Sequence, residues 1–275
     1  MDKYVVALDL HGTLLDPAWS IPGPAAGHLC SVIDSLRDRC RFCIATGNDL
    51  EFVHQHVPAA LLKRIDAVIL ETGAVLAAGE RELVLAGDAA IGRIRELERH
   101  LRADLPGEVL FLGRRLASIS LFTRSEDGGT DPARLHLRIL ARVAELGFAG
   151  EVTVTHSDVA VDIIPAGFSK YTGVLRFAGT SPTIGIADSL NDLALIRDAD
   201  SAFLPANASP ALLTALQAAG RAIIPLEAGR WPDPSEAGQS GRAYTDGVLD
   251  ILAFLAEHLP QNIGAVGDDR IDPEP

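Results

Sequence analysis

Hydrophobic and polar positions along this chain fall into two rhythms that change places twice. Residues 4–8 form an unbroken apolar run ending at Asp9. Leu29, Val32, Ile33 and Leu36 then recur at helical spacing, and residues 42–45 are apolar again. That order predicts strand, helix, strand, the unit of a parallel sheet buried on both faces. A short helix over 50–57 and a strand over 67–70 continue it.

The rhythm changes near residue 82. Ile91, Ile94, Leu97 and Leu101 mark a helix, followed without a second helix by strand-like runs at 109–112 and 116–122. Leu135, Ile139, Val143 and Leu146 mark another helix, again followed by two strand-like runs, 152–155 and 159–164. Two helix-strand-strand units predict a small α/β domain with an antiparallel sheet. After Pro165 the alternation resumes, with helices over 169–177, 191–198 and 210–218 and strands over 183–186, 202–204 and 222–224. A discontinuous core of residues 1–81 and 165–262 is thus expected around an insert of residues 82–164. Residues 227–241, rich in Gly, Pro and Ser, read as a long loop before a last helix over 244–258. The acidic end, 263–275, reads as disordered.

Charge narrows the partners. Lys plus Arg total 24 against 37 Asp plus Glu, a net charge of -13 that repels nucleic acid and anionic lipid, so any phosphorylated ligand needs a local positive site. No apolar stretch approaches the length of a membrane span, and no leader precedes the first strand, so a cytoplasmic monomer or homodimer is expected. Three cysteines are too few for a disulfide framework, and Cys43 of the Cys40-x-x-Cys43 pair reads as a packed strand residue.

Four places carry candidate chemistry, each at the end of a predicted strand or the start of a helix. Asp9 opens Asp9-Leu10-His11-Gly12-Thr13; it can act as nucleophile or metal ligand, or simply begin a turn. Thr46-Gly47-Asn48-Asp49 can hold a phosphoryl oxygen with a hydroxyl and backbone N–H groups, or cap a helix. Lys170 can neutralise phosphate or carboxylates, or be a solvated lysine. Asp188-Ser189-Leu190-Asn191-Asp192 has the oxygen ligands of a hard-cation site and also the composition of a helix cap.

In order and context these four segments resemble the four motifs of the haloacid dehalogenase superfamily. Glu71-Thr72-Gly73-Ala74 and Val161-Asp162-Ile163-Ile164-Pro165 resemble the flanks of the large cap in its Cof-type, sugar-phosphate and mannosyl-3-phosphoglycerate phosphatase-like subgroup. The resemblance implies a Rossmann-like core with an inserted α/β cap, and a Mg²⁺-dependent phosphatase of a small phosphorylated metabolite, a phosphosugar or phosphorylated three-carbon acid. It implies that Asp9 forms a phospho-aspartyl intermediate and that Thr46 and Lys170 bind the phosphoryl group, with Gly47 and Asn48 beside it. It also implies Mg²⁺ on Asp9, the backbone carbonyl of His11 and Asp188, supported by Asn191 and Asp192.

His11 departs from the family, which places an acid/base Asp there; an imidazole can in principle serve as acid then base. The departure leaves open a phosphotransferase or a phospho-ligand-binding regulator. Asn48 stands where Arg is usual, Ala187 where Gly is common and Thr72 where Asn is usual. Leaving-group contacts are expected from the cap, among Arg114, Arg115, Arg124, His156 and Ser157, with Arg115 and His156 foremost. His54 and His56, two apart on a predicted helix, point different ways and read as surface residues rather than a metal pair.

Overall fold

A computed structural model describes residues 3–79, 81–105, 109–111, 115–123, 131–157 and 160–259. The expected tail, Arg114 and Arg124 lie outside the described residues. In chain order the elements are β1 (Tyr4–Asp9), α1 (Gly23–Leu36), β2 (Cys40–Ala45), α2 (Leu50–His56), α3 (Ala59–Leu62), β3 (Ala67–Leu70), β4 (Val75–Ala78) and β5 (Arg81–Val84). The insert follows with α4 (Asp88–Asp104), β6 (Val109–Phe111), β7 (Ile119–Thr123), α5 (Pro132–Glu145), β8 (Val152–His156) and β9 (Ala160–Pro165). The core resumes with α6 (Lys170–Ala178), β10 (Thr183–Ile186), α7 (Leu193–Asp198), β11 (Ser201–Leu204), α8 (Pro210–Ala218), β12 (Ala222–Pro225), β13 (Glu236–Gln239) and α9 (Tyr244–His258).

Among the described residues nine strands make the large sheet, in the order β12-β13-β11-β10-β1-β2-β3-β4-β5. It is parallel from β12 to β3, with the β4-β5 hairpin added antiparallel at one edge. β1 is buried along its whole length, as its unbroken apolar run requires of a central strand covered on both faces. Leu29 and Ile33 of α1 and Ile251 and Leu255 of α9 pack on one face, and Val174 of α6, Leu195 of α7 and Leu212 of α8 on the other. Cys40 and Cys43, three apart on β2, join opposite faces, so their thiols point away from each other. Burial pushes the Cys40 thiol up to about 12 and raises Cys43 as well.

The insert is a four-stranded antiparallel sheet, β6-β7-β9-β8, covered on one face by α4 and α5. Strand alternation decides what the other face carries. Ile119, Leu121, Val161 and Ile163 turn toward the helices, so Ser120 and Asp162, paired across β7 and β9, turn away from them.

Two expectations are corrected. The boundary at residue 82 cuts through β5, which pairs with β4 in the large sheet; the insert's first helix begins at Asp88. The 227–241 stretch is not all loop, because β13 lies in it and sits between β12 and β11. Its sequence, Glu-Ala-Gly-Gln, has almost no apolar signal, and Gly238 is there because a Cβ would lie 2.8 Å from the Phe203 ring. No described helix is long and apolar enough to cross a membrane.

Candidate active site

Parallel strands running out from β1 in both directions leave a crevice at their carboxyl ends, where the chain order reverses. Asp9 ends β1, Thr46 follows β2 and Asp188 follows β10, so three distant segments arrive at one place. Lys170 opens α6, whose N-cap Ser169 forms a reciprocal capping box with Thr172 that sets the direction of the first turn.

Lys170 is buried, and its Nζ donates to Asp9 Oδ1 at 2.6 Å and to Asp192 Oδ1 at 2.5 Å. Burial works against its charge, but Asp192 and Asp9 outweigh that and hold its pKa above the ordinary lysine value. The second oxygen of Asp192 accepts from Ser189 Oγ at 2.7 Å, so both its oxygens are engaged. Asp188 accepts from Thr13 Oγ1 at 3.1 Å. Asp9 Oδ2 is buried with no hydrogen-bond partner.

Asp9, Asp188 and Asp192 offer carboxylate oxygens within 4.8 Å of one another. Burial first, and then repulsion within the cluster, raises the pKa of Asp188 and Asp192. Such a set is short of positive charge. All-oxygen donors, an orphaned Asp9 Oδ2 and a single neutralising lysine fit a hard divalent cation. Gly12 keeps the space open: its φ is +75°, and a Cβ there would lie 2.3 Å from Asp188 Oδ2. Added Mg²⁺ should therefore raise the melting temperature of wild-type protein, by roughly 5–10 °C at a hundredfold excess over Kd. Asp188→Asn should lose most of that rise; an equal shift in the variant would place the cation elsewhere.

His11 lies edge-on to Trp19 (ring centroids 5.1 Å apart) and tilted against Phe52 at 4.9 Å. Asn48 Nδ2 donates to its Nδ1 at 3.1 Å, which puts the ring proton on Nε2, a buried atom with no hydrogen-bond partner. Burial, then Lys170 and His56, lowers its pKa to about 4, so the imidazole is neutral at physiological pH. His56 is not an ordinary surface residue, since it stacks on Phe52 at 4.0 Å and closes this aromatic group; His54 is exposed.

Above the strand ends a cavity of about 380 Å³ takes its floor from Asp9, His11, Gly47, Asn48, Lys170 and Asp188, and one wall from Arg115, Ser120, Ser157 and Asp162 of the insert. Of the expected leaving-group contacts, Arg115 and Ser157 line it. His156 does not: it faces a different cavity and packs on His136, ring centroids 4.7 Å apart. Thr46 is buried beneath the floor, its Oγ1 accepting from the backbone and side-chain nitrogens of Asn48, both at 3.2 Å. Asn191 lines the cavity, its carbonyl oxygen sharing the single Ser189 hydroxyl proton with Asp192.

No family model matches the chain, and no curated relative matches it. Solved structures do. The sucrose-phosphatase of Synechocystis sp. PCC6803, in complex with sucrose and phosphate, superposes with a TM-score of 0.65 at 18% identity, over 94% of this chain and 100% of its own. A phosphatase of the haloalkanoate (HAD) enzyme superfamily from Bacteroides thetaiotaomicron gives 0.63 at 17% identity, over 93% and 96%. A haloacid dehalogenase-like hydrolase from the same organism gives 0.61 at 14% identity, over 92% and 99%. The fold is that of the haloacid dehalogenase-like hydrolases.

Within this haloacid dehalogenase-like fold, Asn207, Ser120, Asp162 and Trp19 also line the cavity, and none of them was among the expected site residues. Asn207, after β11, donates to the Gly12 carbonyl at 2.7 Å and to Asp188 at 3.4 Å, and accepts from Tyr244 N at 2.8 Å, tying three segments together. Ser120 and Asp162 were legible as the polar members of alternating strands. Trp19 sits at the cavity mouth at a left-handed φ of 58°, in a turn pinned by Asp16, whose Oδ1 accepts from the backbone N–H groups of Ala18 and Ser20.

Proposed function

We propose that this chain is a Mg²⁺-dependent phosphatase of a small phosphorylated metabolite, working through a phospho-aspartyl intermediate on Asp9. One observation carries the reading: Asp9, which lines the cavity, has a buried carboxylate oxygen with no partner and sits beside a lysine and a carboxylate cluster. One carboxylate oxygen of Asp9 attacks phosphorus, the bond to the leaving oxygen breaks, and water then releases phosphate from the aspartyl group. Lys170 offsets the repulsion between the carboxylate and the incoming dianion. Gly47 lines the cavity where a transferred oxygen can be received, while Thr46 orients Asn48 from beneath and Asn48 in turn holds His11. His11 offers its Nε2–H as a hydrogen bond to the leaving oxygen.

The residues that would hold Mg²⁺ are Asp9 and Asp188, with the backbone carbonyl of His11. When bound, the ion would supply further neutralisation of the phosphoryl charge. Asp192 is better read as the residue that fixes Lys170, because both its oxygens are already engaged. A cavity of about 380 Å³ suits a phosphosugar or a phosphorylated three-carbon acid. The fold likeness to a sucrose-phosphatase supports the same class.

The test is Mg²⁺-dependent phosphate release from an aryl phosphate and a panel of sugar and hydroxy-acid phosphates between pH 5 and 9. Turnover of at least one small ester by wild type, lost on chelation, is expected. His11→Asp should retain it, since a carboxyl can also interact with the leaving oxygen. If neither protein releases phosphate from any ester, the reading fails.

A further inference from the structure

The cavity carries a second positive charge, one with no carboxylate at hydrogen-bond distance. Arg115 is only 6% exposed, yet its Nε and Nη1 have no hydrogen-bond partner. Its closest carboxylate is Asp49, whose Oδ2 lies 3.7 Å from Nη1; the other oxygen of Asp49 is committed to the Phe52 N–H at the start of α2. Of the carboxylates that line the cavity, Asp16 accepts within its own turn, Asp162 from Ser120, Asp9 from Lys170 and Asp188 from Thr13; none of them comes within 4 Å of the Arg115 guanidinium, although its charge acts on Asp162 at longer range. Lys170 has two carboxylate partners at hydrogen-bond distance, whereas Arg115 has none.

Its backbone is held from both sides. Arg95 of α4 donates to the carbonyls of Arg115 and Leu116, and the buried Glu71 accepts from Leu116 N at 2.7 Å, Ala117 N at 2.8 Å and Ser118 Oγ at 2.8 Å. A buried guanidinium whose following backbone, residues 115–118, is held in this way is an oxyanion receptor prepared before the ligand arrives. Arg115 belongs to the insert, whereas Asp9, Lys170 and the Thr46 turn belong to the core. The geometry therefore assigns Arg115 to the leaving-group end of the substrate.

Resting on the phosphatase reading above, we infer that the natural substrate is a phosphate monoester whose leaving group carries a second anion, a carboxylate or another phosphate, received by Arg115. Two matched pairs separate the sources. 3-Phosphoglycerate and glycerol 3-phosphate differ by a carboxylate against a hydroxymethyl group; fructose 1,6-bisphosphate and fructose 6-phosphate differ by the second phosphate. Wild type should favour the anion-bearing member of one pair in kcat/KM by about tenfold or more, and Arg115→Gln should bring that ratio to within about threefold of unity, with Arg115→Lys between them. No preference in either pair, or an equal loss on both members in Arg115→Gln, overturns the inference. Calorimetric Kd values for the same pairs, measured on Asp9→Asn alone and with Arg115→Gln, read the site without turnover. If wild type hydrolyses no ester, the phosphatase reading falls; tighter binding of the anion-bearing member that Arg115→Gln removes still upholds the anion site, and equal binding of both members overturns it.

Discussion

Asp9→Asn is expected to lower phosphate release by about three orders of magnitude or more, while the metal-free variant melts at or above the wild-type temperature. The activity loss follows from chemistry, because an amide oxygen is a poor nucleophile toward phosphorus and cannot form the acyl phosphate. The stability gain follows from the charge count in the buried cluster, where Asp9, Asp188 and Asp192 face the single ammonium of Lys170. An asparagine keeps a carbonyl oxygen for Lys170 to donate to and removes one of the repelling charges that act on Asp188 and Asp192. Steady-state phosphate release and thermal melts in chelator check both halves. Radiolabelled phosphate retained on acid-quenched wild type and absent from the variant would tie the loss to the covalent step. If Asp9→Asn keeps several per cent of the activity, the nucleophile lies elsewhere.

The residues of that cluster were legible in the sequence for a local reason. Asp9, Thr46 and Asp188 each follow an apolar run, and in a parallel sheet the ends of such runs converge. Lys170 was legible only through its place in the resemblance; as a single lysine it has no signal, and its burial depends on carboxylates 161 residues away and 22 residues away. Asn207 had no local signal either, since its role lies in bridging Gly12, Asp188 and Tyr244, which meet only after the sheet has formed.

The insert teaches a different lesson. His156 and Arg115 looked alike as polar residues near strand ends, yet Arg115 lines the cavity above Asp9 and His156 does not. Period-two alternation places His156 on the helix face only with the pairing register in hand, because it pairs with Val161 of that face, whereas Arg115 precedes β7 and alternation says nothing of it. The β4-β5 hairpin was missed because β5 lies on the sheet edge with all four residues exposed, so it shows no buried pattern.

Gly73→Ala is expected to destabilise the fold by about 3–5 kcal/mol, lowering the melting temperature by roughly 10 °C, and to reduce activity with it. Two costs add at this position. The backbone has a φ of +98°, and a Cβ would stand 1.9 Å from the carbonyl oxygen of Ser169. Across the contact, Gly173 of α6 is equally constrained, since its own Cβ would come within 2.4 Å of Ile69 Cγ2 and 2.8 Å of Gly73 Cα. The two glycines let the first turn of α6 lie directly on the turn that follows β3, and that turn is already strained by left-handed φ values at Glu71 (49°) and Thr72 (55°). Ser169 and Lys170 cannot be moved without drawing the ammonium away from Asp9, so the same substitution should reach the chemistry from a residue outside the cavity. Gly220→Ala serves as the control: its φ of +80° is also left-handed, but nothing lies within 4 Å of a Cβ there, so only the backbone cost of about 1 kcal/mol remains. Chemical denaturation of the two variants beside wild type measures the difference. Equal losses in both would mean that backbone conformation, rather than the close approach of α6, accounts for Gly73.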